Sequence, residues 1–377
     1  MSLIWPDDAA HIVTDQPRLH ALVVGVGEYP HLNGGAGPLA ADPLGLSQVT
    51  TPPVTARAIA QWLLASYANN ACPLGSVELL LSPDEPFKQP DKQEKPVERA
   101  RMDAIDKAFN RWVKGCSANQ NNTAFLYFCG HGLSKGAQFV LPEDFGDPAW
   151  ADPWKNCIDF DGLRVGMRSC KAQTQLFFVD ACRETPFGTL DQSNVSGQAL
   201  IKAKFSDSVS CSAAYHAAME GQQAFGPQND VTYFGQAVMK CLNGAGTINS
   251  NGQWVVDTFS LSNALGQMML HLGRRNSLPL NCNPNVSGMA RIHEPPSPYV
   301  IASIGCSTPA ANSAAEIIMK RGVDIRQSPV GQEKPMLEEV PPGDWEIDVL
   351  FPEGQFPAPG SKIYTLMPPI FTGVPVP

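Results

Sequence analysis

The chain has 377 residues, of which 43% are apolar and 17% charged, with a formal net charge of −9 at pH 7. That is enough apolar length for two domains with full cores, and the charge argues against a nucleic-acid groove, for which no clustered Lys and Arg are found. Ten cysteines lie scattered without CxxC pairs, so reduced thiols are expected rather than a disulfide framework or a zinc site. The first residues lack the basic start and apolar run of a signal peptide, and nowhere do about 18 apolar residues run together. A soluble cytoplasmic protein without a membrane partner is therefore expected.

Residues 19–26 (LHALVVGV) read as a first buried strand, closed by Gly25, Gly27 and Pro30. A phosphate-cradling loop at Gly25 and Gly27 is set aside, because proline stands where the third glycine of GxGxxG would be. Residues 33–53, rich in Gly and Pro, should be an irregular loop. Ala58, Ile59, Trp62 and Leu63 fall at helical spacing and predict a helix over 54–67. SVELLL at 76–81 is a second strand, 82–95 an exposed loop, and Met102, Ile105, Phe109 and Trp112 predict an amphipathic helix over 97–113.

Two short apolar runs follow. Phe125 to Cys129 (FLYFC) leads into Gly130-His131-Gly132, and Leu176 to Val179 (LFFV) leads into Asp180-Ala181-Cys182-Arg183. Each stops abruptly at small or polar residues, as buried parallel strands do at their carboxyl ends. Between them, 138–141 reads as a short hairpin arm, 142–153 as turns, and Asp159 as the cap of a helix through Arg168. This alternation of strands and helices argues for an α/β fold with a mostly parallel, helix-covered sheet and its site at the carboxyl rim. If both runs lie in that sheet, His131 and Cys182 emerge on the same rim. There an imidazole can take the thiol's proton and generate a nucleophile for acyl transfer.

After Cys182, residues 184–208 show little periodicity, 209–212 is a fifth strand, and helices follow at 233–242 and at 261–272, the latter capped by Ser260. Residues 277–288 form a last strand region. Three prolines within 295–298 mark a linker, because such a run continues neither helix nor central strand. Beyond it, short strands at 299–303, 316–319, 336–340, 345–350 and 362–366 predict a small β domain. The expected organisation is thus 1–294, a linker at 295–298, and a β domain over 299–377.

FCGHG and FFVDACR resemble the two signature stretches of the caspase-like cysteine peptidases, the group of caspases, metacaspases and their bacterial relatives. His131 and Cys182 are 51 positions apart, close to the separation of about 50 in that family, and ALVVGVGEYPHL resembles its opening strand. The resemblance spans residues 19–290. It implies a caspase-like fold, a His131–Cys182 dyad, an oxyanion site made by the Gly132 and Cys182 N–H groups, protein or peptide substrates, and no cofactor or metal. It implies also that the segment after Cys182 is a loop open to cleavage, with Lys202 or Lys204 the expected sites of self-processing.

Asp180 stands where metacaspases carry a substrate-binding aspartate, which implies cleavage after Arg or Lys, although Thr51-Pro52-Pro53-Val54 replaces the second acidic group of that pocket. Asp180 bonding only the local backbone is the alternative. Some metacaspases need calcium, but Asp144, Asp147, Asp152, Asp159 and Asp161 lack EF-hand order and read as turn residues. By analogy with bacterial antiviral proteases, the C-terminal domain would bind a nucleotide activator. The competing functional reading is a catalytically silent binding module with the same fold.

Overall fold

The computed structural model describes residues 2–6, 15–90, 93–185, 195–202 and 209–372. Its centre is a seven-stranded sheet. Strands β1 (Leu3–Trp5), β2 (Leu19–Val26), β3 (Leu74–Ser82), β4 (Thr123–Cys129), β8 (Thr174–Asp180), β9 (Cys211–His216) and β10 (Asn283–Ser287) lie in the order β1-β3-β2-β4-β8-β9-β10. The five inner strands are parallel, and the two edges pair antiparallel. Every residue of β2 and β4 is buried, which is why those strands read as continuous apolar runs: both faces of a parallel sheet are covered.

Strand parity assigns the faces. Leu22, Val24, Leu126, Phe128, Phe177 and Val179 share a core with Met102, Ile105, Phe109 and Trp112 of α2 (Met102–Cys116) and with Phe160 and Leu163 of α3 (Phe160–Gly166). The alternate residues face the other way, where α1 (Thr51–Ala65) comes so close that a Cβ on Gly25 would lie 2.6 Å from the Ala56 Cβ. On that face Tyr127 packs against Phe234 of α4 (Tyr233–Lys240), with ring centroids 6.5 Å apart.

Several boundaries differ from the sequence expectation. Helix α1 starts three residues earlier, at Thr51, with Pro52 and Pro53 in its first turn, where a missing N–H costs nothing. Helix α2 begins only at Met102, because its cap is the Asp144 carboxylate, accepting the Met102 N–H at 2.8 Å from 42 residues away. Residues 82–95 are not simply an exposed loop: Phe87–Lys88 and Glu94–Lys95 pair as a hairpin, and Phe87 is fully buried. Asp159 does cap α3, accepting the Gly162 N–H at 2.8 Å.

By compactness the chain divides into one unit of Met1–Met239 and Met269–Glu294 and a second of Lys240–Met268 and Pro295–Pro377. In the second, strands β11 (Val300–Ile304), β12 (Glu316–Arg321), β13 (Asp324–Ser328), β14 (Met336–Val340), β15 (Gly343–Leu350), β16 (Lys362–Leu366) and β17 (Ile370–Thr372) make a three-stranded sheet, β14-β11-β17, and a four-stranded sheet, β13-β12-β15-β16. Ile304, Ile317, Met319, Trp345, Ile347 and Leu366 form its core. Helix α5 (Thr258–Asn276) is capped by Asp257, whose carboxylate accepts the Phe259 and Ser260 N–H groups at 2.9 and 2.7 Å. Ser260 reciprocates by accepting the Asp257 N–H at 3.0 Å, so the expected cap is the second half of a capping box.

Candidate active site

The rung that pairs Asp180 with Cys129 is the last between β8 and β4. His131 and Cys182 each lie two residues beyond it, so they leave neighbouring parallel strands at the same end of the sheet. Gly130 N–H donates to the Asp180 carbonyl at 3.3 Å and draws the two loops together. Gly132 follows at van der Waals contact: a Cβ there would stand 2.7 Å from the Cys182 carbonyl oxygen and 2.8 Å from the Ala181 Cβ. Only glycine fits this approach. His131 opens a ladder between β5 (Gly132–Ser134) and β6 (Gln138–Val140), accepting the Leu141 N–H at 3.0 Å. Gly132 occupies the alternate rung, opposite Val140, so its N–H points away from that ladder.

Three groups hold His131. Its N–H donates to the Tyr29 hydroxyl at 2.8 Å, and that hydroxyl donates in turn to the Leu141 carbonyl at 3.3 Å, so a phenol is inserted where a ladder bond would close. The Tyr29 ring lies against the imidazole with centroids 4.8 Å apart. At the far edge of the ring, Nε2 is 2.6 Å from the Ser47 carbonyl oxygen. A carbonyl only accepts, so Nε2 carries the proton and the neutral ring keeps its lone pair on Nδ1. Burial pushes the imidazole pKa below its ordinary value, against the pull of the Ser47 carbonyl.

Cys182 is half-buried, and its Sγ accepts the Ala224 N–H at 3.3 Å. Burial raises the thiol pKa, the Ala224 contact opposes the rise, and the Glu184 and Asp180 carboxylates add to it. Both members of the pair are therefore uncharged near neutral pH. All ten cysteines are free thiols.

Asp180 points to the α1/α4 face and is 3% exposed. Oδ2 accepts the Tyr127 hydroxyl at 2.9 Å and the Thr232 hydroxyl, while Oδ1 is left without a hydrogen bond, although the Cys129 thiol lies close enough to pull the carboxyl's pKa down. Desolvation wins over these donors and pushes the pKa up to about 6. Thr232 N–H donates to Thr55 Oγ1 of α1 at 2.9 Å. Beside the supports of His131, a cleft of about 660 Å³ opens between Tyr29, Gln48, Val49, Thr50, Arg57 and Asn229.

The profile of the family described as the caspase domain matches residues 18–257, which is more than half of the chain. The chain belongs to the caspase-domain family. It is 27% identical over 210 residues to an uncharacterized protein of Sinorhizobium fredii, covering 54% of this chain and 60% of that protein. It is 28% identical over 134 residues to a probable protease of a Desulfuromonadales bacterium, covering 34% and 15%. The chain thus spans less than two thirds of either relative. Caspase-1 of Spodoptera frugiperda is similar at 13% identity and a TM-score of 0.42, over 75% of this chain and 94% of that structure.

Within this caspase domain the five aspartates from Asp144 to Asp161, the last of them inside α3, have local partners. Besides the caps made by Asp144 and Asp159, Asp147 accepts the Ala149 N–H at 2.9 Å, Asp152 the Trp154 N–H at 2.9 Å and Asp161 the Gln138 N–H at 2.8 Å. Tyr29, Ser47, Thr232 and Ala224 were not singled out from the sequence. Ser47 and Ala224 act through their backbones, which no side-chain pattern advertises, and only Tyr29 lay in a stretch that carried the resemblance. Among the described residues no helix is long and apolar enough to cross a membrane.

Proposed function

We propose that the protein is a cysteine endopeptidase acting on protein or peptide substrates. His131 Nδ1 takes the Cys182 thiol proton as sulfur attacks the scissile carbonyl. The Gly132 and Cys182 N–H groups stabilise the oxyanion, and imidazolium returns the proton to the leaving amine before water releases the acyl group. The observation that carries this reading is the Asp180–Cys129 rung, with His131 and Cys182 two residues beyond it on adjacent strands. The Nε2–H bond to Ser47 supports it, because it leaves Nδ1 as the base.

Asp180 is the proposed selector for Arg or Lys before the scissile bond. Its Oδ1 supports this: with only the weak Cys129 thiol nearby, that buried carboxylate oxygen would gain most from a cationic donor. With no second carboxylate from residues 51–54, the preference is looser than a two-acid pocket would give. Activation by a nucleotide signal, as a defence-type effector, rests on analogy alone.

Cys182→Ala and His131→Ala test the reading by turnover of a peptide library. Each is expected to abolish cleavage while leaving the thermal midpoint within a few degrees of the parent. Near-normal turnover in either variant would overturn the dyad. Loss of basic preference in Asp180→Asn, with cleavage after neutral residues retained, would support the selector role, and an unchanged profile would remove it.

A further inference from the structure

We propose that Gln48 is a positioning residue for His131, an inference that rests on the dyad reading above. The side-chain amide of Gln48 is used in full. Oε1 accepts the Tyr29 N–H at 2.7 Å, while Nε2 donates to the Tyr29 carbonyl at 3.0 Å and to the Asn33 carbonyl at 3.1 Å. It pairs with the Tyr29 backbone as a neighbouring strand would. One donor end and one acceptor end at this length are what glutamine supplies.

The consequence lies in what flanks it. Tyr29, the residue clasped by the amide, presents its ring and hydroxyl to His131. Ser47, joined to Gln48 by one peptide bond, presents the carbonyl that holds Nε2–H. The two contacts that fix the imidazole therefore come from segments 18 positions apart, and one amide ties them together. Other ties also hold the segment around Ser47: Asn33 N–H and Nδ2 donate to the Leu46 carbonyl at 3.2 and 2.8 Å, Asn33 pairs with Ser47 as an isolated bridge, and Val49 N–H donates to the Gly27 carbonyl at 3.0 Å. These reach Asn33 and Gly27, whereas the Gln48 amide bonds the backbone of Tyr29 itself. If the amide is lost, the imidazole can turn and exchange tautomers, and a smaller fraction presents a basic Nδ1 to the thiol.

Two variants test this. Gln48→Met keeps the length and removes all three bonds. Gln48→Glu keeps the shape but, when ionised, sets a carboxylate oxygen against two carbonyl oxygens; when protonated it can restore one donor. In Gln48→Met, kcat should fall about 10- to 100-fold with KM within about twofold, and alkylation of Cys182 by iodoacetamide near neutral pH should slow in parallel. Gln48→Glu should show a new ionisation in kcat, with activity recovering as pH falls and the carboxylate protonates. A lower thermal midpoint with unchanged kcat and alkylation for the folded enzyme would overturn the inference and reduce Gln48 to a loop tie. So would a Gln48→Glu profile without the new ionisation. Failure of the dyad itself is separate, since it would appear as activity surviving His131→Ala.

Discussion

In the proposed mechanism the deciding residue is His131, and its protonation sets the pH range. Burial holds the imidazole below its ordinary 6.5 and the Cys182 thiol above 9.0. The working form is the neutral pair, so kcat/KM should be lost on the acid side as imidazole protonates below 6.5, and on the alkaline side as the thiol ionises above 9.0. A pH–rate profile with an acid limb well above 6.5 would contradict this account. Asp180 adds a second signature. Its carboxyl ionises at about 6, so its charge, and with it any basic preference, is present above that pH and lost as pH falls through it. For folding the sign is opposite: a pKa raised from 3.8 makes the buried carboxylate a liability, costing stability as pH rises through that interval, by about 3 kcal/mol at most. Asp180→Asn should therefore melt no lower than the parent at pH 8, and a clear drop would show that the charge is paired there.

Among the elements, the junction of β4, β8 and their loops is the least tolerant. Gly132→Ala should cost more activity than stability, because its Cβ pushes the His131 loop off the Cys182 carbonyl; kcat near the parent value would mean that this approach is slack. If the proposed peptidase processes itself, cleavage after Lys202 depends on how residues 195–202 lie against the residues that flank α3. Ser169 Oγ donates to the Lys202 carbonyl at 2.9 Å and Asp159 N–H to the Gln198 carbonyl at 3.2 Å. Cleavage after Lys202 therefore requires this segment to lift, while Lys204 lies outside the described residues. Strands β4 and β8 and the placing of His131 and Cys182 were legible because each strand is an apolar run that stops at Gly130 or Asp180; β9 was placed only roughly, at 209–212 instead of Cys211–His216, because CSAAYH carries no apolar run. The edge strand β1 was not: Leu3–Trp5 is only three residues long and gains its place by pairing with β3 and through the Ser2 hydroxyl on Glu78, 76 positions away. The start of α2 was hidden for the same reason, its cap being the distant Asp144. Strand β13 alternates between half-buried and exposed residues, leaving no apolar face to read.

At the scale of the whole molecule, the two compact units do not follow a single cut in the chain. Lys240–Met268 belongs to the second unit, where the Tyr299 hydroxyl donates to the Lys240 carbonyl at 2.8 Å and Lys240 Nζ meets Glu339 at 2.6 Å. Truncation after Pro298 removes these partners, so it should lower the thermal midpoint as well as any response to an activator; a truncated chain that melts like the parent would refute this. Regulation is then better tested in the full chain than by deletion. The central claim is that one sulfur of ten does the chemistry. It is tested most directly by peptide mapping after exposure to a lysyl chloromethyl ketone peptide. A single adduct on Cys182 is expected, abolished in His131→Ala, with the other nine thiols unmodified; an adduct on another cysteine that accompanies loss of activity, or full activity with Cys182 blocked, would contradict it.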